Sequence, residues 1–108
     1  MVAVFQPHLY SRTERLASEF GAALARADVV GVLDVYPARE RAEDFPGISG
    51  LTIAETAADA ARGKPVLWLP DFEAAERALG PLLRHGDLCL VLGAGNVDAL
   101  GRRLVGAP

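Results

Sequence analysis

Four short apolar runs, each followed by a polar loop and then by an amphipathic stretch, divide the chain. Val2 to Phe5 is the first and stops at Pro7; Val29 to Leu33, Val66 to Leu69 and Asp87 to Leu92 follow it. Runs that are apolar at both odd and even positions suit strands of a parallel sheet covered on both faces. After the first run, Leu16, Phe20, Ala23, Leu24 and Ala27 recur at helical spacing, with Glu14, Arg15, Glu19 and Arg26 on the other side. This predicts a helix starting near Arg12 or Thr13, with Ser11 and Glu14 spaced as a capping box. A weaker, alanine-rich helix is predicted through Leu51, Ala54, Glu55, Ala58 and Ala61, closed by Gly63. Asp71 is placed to cap a third helix that carries Phe72, Ala75, Leu79, Leu82 and Leu83 inward, with Pro81 kinking or dividing it. A last helix presents Val97, Leu100 and Leu104 on one side. Only the stretch from Pro37 to Gly50, rich in proline, glycine and charge, has no periodic apolar face, and it reads as an irregular loop.

The resulting order, βαβαβαβα, predicts an α/β fold: a three-layer, Rossmann-like domain with a mainly parallel sheet and helices on both faces, joined by right-handed crossovers. If the chain reverses direction after the third strand, the strand order is 3-2-1-4. The loops after the first and fourth strands then lie side by side at a switch point, where such folds bind ligands. A length of 108 residues allows one domain, spanning 1–108, and hydrophobic and charged shares of 51% and 23% are those of a globular chain. The net charge of −3 leaves no basic stripe for a phosphate backbone, so nucleic-acid binding is set aside. No apolar run approaches the length of a membrane span. The single cysteine, Cys89, lies in an apolar run and reads as a core residue, which suits a reducing, cytoplasmic setting.

Candidate chemistry gathers at two strand ends. Gly93, Gly95 and Asn96 follow the fourth strand, where glycines let backbone N–H groups approach a nucleotide or other anion; a tight structural turn explains them equally well. A dinucleotide fingerprint is incomplete, since Asp98 stands where it needs a third small residue, and no P-loop occurs. The loop after the first strand holds His8, Tyr10, Ser11 and Arg12. Arg12 can grip a carboxylate with two parallel hydrogen bonds, or it can simply pair with Asp34 or Glu40 from the next strand end. Asp34, Tyr36 and Glu40 either orient a ligand or order their own loop. His8 and His85 show no metal spacing, so no metal site of the chain's own is expected. A serine nucleophile would need a base and a third, orienting group, and Ser11 is already placed as a cap, which argues against a hydrolase triad.

Four motifs, FQPHLYSRT, DVYPARE, FPGISG and GAGN, occur in this order along essentially the whole chain. Together they resemble the C-terminal domain of the UDP-N-acetylmuramate:L-alanine ligases, members of the Mur ligase family of peptidoglycan synthesis. The resemblance implies one domain of a larger multidomain ligase, whose other parts bind the UDP-sugar, ATP and Mg²⁺. It implies an ATP-dependent amide ligation in which the muramoyl carboxylate is phosphorylated and the amine of L-alanine attacks it. The partners would be L-alanine and UDP-N-acetylmuramate. His8, Tyr10 and Arg12 match the first motif, and Asp34, Tyr36 and Glu40 the second, as substrate-lining residues. Leu9 and Arg39 depart from the family's usual arginine and glycine. The resemblance also implies that the fourth strand is left as an exposed apolar edge here, since in the family it pairs with a further, upstream strand. A free-standing nucleotide- or anion-binding module is the alternative reading.

Overall fold

The computed structural model describes residues 1–93 and 97–106. The elements are β1 (Val2–Gln6), α1 (Tyr10–Leu24), β2 (Val29–Leu33), α2 (Gly50–Ala61), β3 (Val66–Leu69), α3 (Phe72–Leu79), β4 (Cys89–Gly93) and α4 (Val97–Gly106). The four strands form one parallel sheet in the order β3-β2-β1-β4, as expected from a reversal after β3. Steps from β1 to β2 and β2 to β3 run the same way, so right-handed crossovers put α1 and α2 on one face; the reversed step to β4 puts α3 on the other. The two cores follow this division. Ala3, Val30 and Val32 meet Ala17, Leu24, Ile53 and Ala57 on the first face. Val2, Val4, Leu33 and Leu69 meet Ala75, Leu79, Val97 and Leu100 on the second.

Local details differ from the sequence pattern where tertiary contacts choose the face. Helix α1 begins at Tyr10, and its buried stripe is Thr13, Ala17, Gly21 and Leu24, while Ala23 is exposed. The reason is that α1 packs against α2 as well as the sheet, and small residues line that crossing: the Thr56 hydroxyl donates to the Ala17 carbonyl at 2.8 Å. In α2 the buried residues are Gly50, Ile53, Ala54, Ala57 and Ala61, and Leu51 stays 40% exposed. Ser49 caps this helix by accepting from Leu51 N at 3.1 Å, and Thr52 Oγ1 in turn accepts from Ser49 N at 3.1 Å. Asp71 caps α3 through Ala74 N at 2.7 Å, as its position suggests. Pro81 does divide the third helix, which ends at Leu79 and passes into a single 3₁₀ turn at Gly80–Leu82, leaving Leu82 exposed.

Among the described residues β4 pairs only with β1, so it is an edge. Leu88, just before it, and Leu90 and Leu92 along it are 58%, 38% and 45% exposed. The expected apolar edge is therefore present, starting at Cys89 instead of Asp87. Cys89 is half-buried against the α3/α4 core, and burial pushes its thiol pKa up, which suits packing and not nucleophilic chemistry.

Candidate functional site

At the carboxyl end of the sheet, the loops after β1 and β2 are tied into one unit by their backbones. Tyr36 N donates to the Pro7 carbonyl at 2.8 Å and Leu9 N to the Tyr36 carbonyl at 3.0 Å, extending the β1–β2 pairing past both strands. The His8 and Tyr36 rings stack over this bridge with centroids 6.0 Å apart. Leu9 then turns at φ 69°, a left-handed conformation that costs a non-glycine residue on the order of 1–3 kcal/mol. Its carbonyl is held by both Thr13 N at 3.1 Å and Thr13 Oγ1 at 2.8 Å, with Thr13 fully buried, so the bend is fixed from two sides. This bend is what starts α1 at Tyr10.

Ser11 is accordingly not the cap of its own helix; it lies in the first turn, and the cap comes from β2's loop. Glu40 accepts from Ser11 N at 3.0 Å with one carboxylate oxygen and from Ser11 Oγ at 2.6 Å with the other. The Ser11 hydroxyl, foremost, holds the Glu40 carboxyl below its usual pKa range. A carboxylate at the positive end of α1 therefore already occupies the place an anionic ligand would take. Arg12, the next residue, is exposed and makes no ion pair or hydrogen bond among the described residues. The pairing with Asp34 or Glu40 that the sequence left open does not form.

Asp34 is engaged elsewhere. Its Oδ1 accepts from Val35 N at 2.8 Å and Gly50 N at 3.1 Å, which holds the start of α2 against the end of β2. Tyr10 stacks on Phe45 of the long loop with centroids 6.0 Å apart, and burial, reinforced by the charges of Asp34 and Glu43, pushes its phenol pKa up. Of the candidates, His8, Tyr10, Arg12, Tyr36 and Glu40 thus share one loop pair. Gly93 is brought beside it: it pairs with Gln6, and with φ 148° a Cβ there would lie 2.7 Å from the Gln6 carbonyl. Gly95 and Asn96 lie outside the described residues.

The residue that sequence reasoning passed over is Gln6. Alternation along β1 sends it to the α3/α4 face after Val2 and Val4, and it is only 8% exposed. Its Oε1 has no hydrogen-bond partner, an omission that costs about 1–3 kcal/mol for a buried acceptor. A polar residue continuing a buried alternation was the available signal. Among the described residues no three His, Cys, Asp or Glu side chains lie close enough together to hold a metal ion.

No family model matches the chain. Individual relatives do. The chain is 49% identical over 106 residues to a UDP-N-acetylmuramate–L-alanine ligase of Mycobacterium sp. (strain JLS), which covers 98% of the chain and 20% of that protein. The ligase of the same name from Chlorobaculum parvum is 50% identical over 103 residues, 95% of the chain and 22% of its own length. The chain is a homologue of these ligases over about a fifth of their length. The likeness to a Mur ligase C-terminal domain, drawn from the four motifs, thus extends along nearly every residue. Mycolicibacterium smegmatis supplies a third such ligase, 47% identical over 105 residues, 97% of the chain and 20% of that protein. Among the described residues, no helix of this Mur ligase homologue is long and apolar enough to cross a membrane.

Proposed function

We propose that this chain is the amino-acid-positioning domain of a larger, cytoplasmic ligase that joins L-alanine to UDP-N-acetylmuramate in peptidoglycan synthesis. The observation that carries the reading is Arg12: an exposed guanidinium without a protein partner among the described residues, set on the first turn of a helix whose bend is rigidly fixed. A planar fork held this way is suited to the carboxylate of an amino acid. His8, Tyr10 and Tyr36 line the approach, and Glu40 acts by fixing the helix start through Ser11. Asp34 contributes by joining the ends of β2 and α2. In this reading ATP and Mg²⁺ are bound by parts of the ligase outside this chain, the single domain 1–108 is catalytically silent alone, and its work is orientation and exclusion of water.

The test is steady-state kinetics of the intact ligase to which we assign the chain, with L-alanine as the varied substrate. Arg12→Ala should raise the apparent KM for L-alanine roughly tenfold to a hundredfold, from the loss of a charge-assisted pair of about 1.5–3 kcal/mol. Arg12→Lys should recover little of this, and the KM for ATP should change much less. Unchanged L-alanine kinetics in both variants would remove Arg12 from the site.

A further inference from the structure

We propose, resting on the reading of Arg12 as the carboxylate-binding residue, that Thr13 is a positioning residue of that site: its hydroxyl holds the backbone bend at Leu9 that aims Arg12. Leu9 has φ 69° and ψ 134°, outside the regions that a side chain ordinarily allows. Its own side chain is only half-buried, so its packing does not account for the conformation. The backbone polar groups of Leu9 are both taken instead. Leu9 N donates to the Tyr36 carbonyl at 3.0 Å, and the Leu9 carbonyl accepts from Thr13 N at 3.1 Å and from Thr13 Oγ1 at 2.8 Å. Strained backbone at a non-glycine residue persists only where the surroundings over-determine it, and such residues cluster at ligand clamps.

Thr13 N makes the ordinary first-turn helix bond, which any side chain at this position would leave in place; the hydroxyl is the added constraint. Threonines in helices often return their hydroxyl to the carbonyl four residues back. Here the acceptor belongs to the strained residue, and Thr13 is 0% exposed, so no water competes for the bond. Thr13 and Gln6 are the two buried polar side chains among the described residues. Pro7, also fully buried, anchors the other side of the bend by accepting from Tyr36 N at 2.8 Å. His8, Tyr10 and Arg12 are therefore carried on a short segment held at both ends by buried residues. Successive helical residues turn by roughly 100°, so with Thr13 in the core the neighbouring Arg12 is directed out of it, where it is exposed. Removing one buried hydroxyl would loosen the bend and widen the directions the guanidinium samples, without touching the guanidinium itself.

The experiment compares Thr13→Val, which keeps the side-chain shape and removes the hydroxyl, with Thr13→Ser, which keeps the hydroxyl. In the ¹⁵N-labelled 108-residue chain, Thr13→Val should speed hydrogen exchange of the Leu9 amide about fivefold or more, beyond any change at Val30 in the sheet. In the intact ligase to which we assign the chain, Thr13→Val should raise the KM for L-alanine by about the same factor and leave the KM for ATP nearly unchanged. Thr13→Ser should recover most of both effects. In an Arg12→Ala background Thr13→Val should add little to the L-alanine KM, because the two residues act as one unit. A raised L-alanine KM in Arg12→Ala beside an unchanged one in Thr13→Val overturns the role of Thr13 alone. So does an unchanged Leu9 amide, or a Thr13→Val effect that adds in full to that of Arg12→Ala. An unchanged L-alanine KM in Arg12→Ala overturns the reading of Arg12 and the role of Thr13 together.

Discussion

Gly21 sits at the centre of the α1–α2 crossing, and replacing it with alanine sets helix propensity against packing. In an open helix position this change stabilises by about 0.8–1.0 kcal/mol, because glycine loses more backbone freedom on folding. At Gly21 the new Cβ would lie 2.1 Å from Thr56 Oγ1 and 2.8 Å from Ala57 N. The second of these atoms is helix backbone and cannot rotate aside. Overpacking of this kind costs about 1–3 kcal/mol, and displacing the Thr56 hydroxyl also breaks its bond to Ala17 O, worth about 1 kcal/mol. The two losses outweigh the gain, so Gly21→Ala should destabilise the chain by about 1–3 kcal/mol. Urea unfolding followed by far-ultraviolet circular dichroism measures this as a lowered midpoint at unchanged slope. Gly101→Ala in α4 is the control, because its Cβ would meet Val91 Cγ2 at 3.5 Å, an ordinary contact. That variant should be stabilised by up to about 1 kcal/mol. A Gly21→Ala protein as stable as the parent, or more so, would refute the account of how α1 and α2 meet.

The Glu40 cap makes a pH prediction. Its folded pKa lies below the ordinary 4.5, so its contribution is present above that value and is lost as pH falls through the lower, folded one. Glu40→Gln should therefore be less stable than the parent at pH 7, and the gap should close as pH falls and the parent's Glu40 becomes protonated in the folded state, which denaturant midpoints measured at descending pH follow. Gln6→Leu should raise stability by about 1–3 kcal/mol by removing an unsatisfied buried acceptor; no gain in thermal unfolding would mean that the amide is paired in solution. The exposed leucines of β4 should drive self-association, and Leu90→Lys with Leu92→Lys should abolish it. Sedimentation velocity over a range of concentrations checks this, and a parent chain that stays monomeric throughout would count against the edge being sticky.

Periodicity and turn chemistry in the sequence determined the elements and their order. Val2, Val29 and Val66 open strands where the apolar runs begin, Asp71 caps α3, and Pro81 ends it, because each of these effects acts within a few residues. Alternation and crossover handedness carried this to the sheet order, and the motifs carried it to the ligase resemblance. What the sequence could not decide were contacts between residues distant along the chain. Ser11 and Glu14 had the spacing of a cap, but a carboxylate 29 residues away competes for the same N–H and, with a second bond from the Ser11 hydroxyl, takes it. Leu16 and Leu51 looked like core residues by hydrophobicity alone, yet the close approach of α1 and α2 selects glycine, alanine and threonine for that face. Gln6 stands in sequence as the first polar residue after an apolar run, and only the tertiary fold leaves its carbonyl oxygen shielded from water and without a partner.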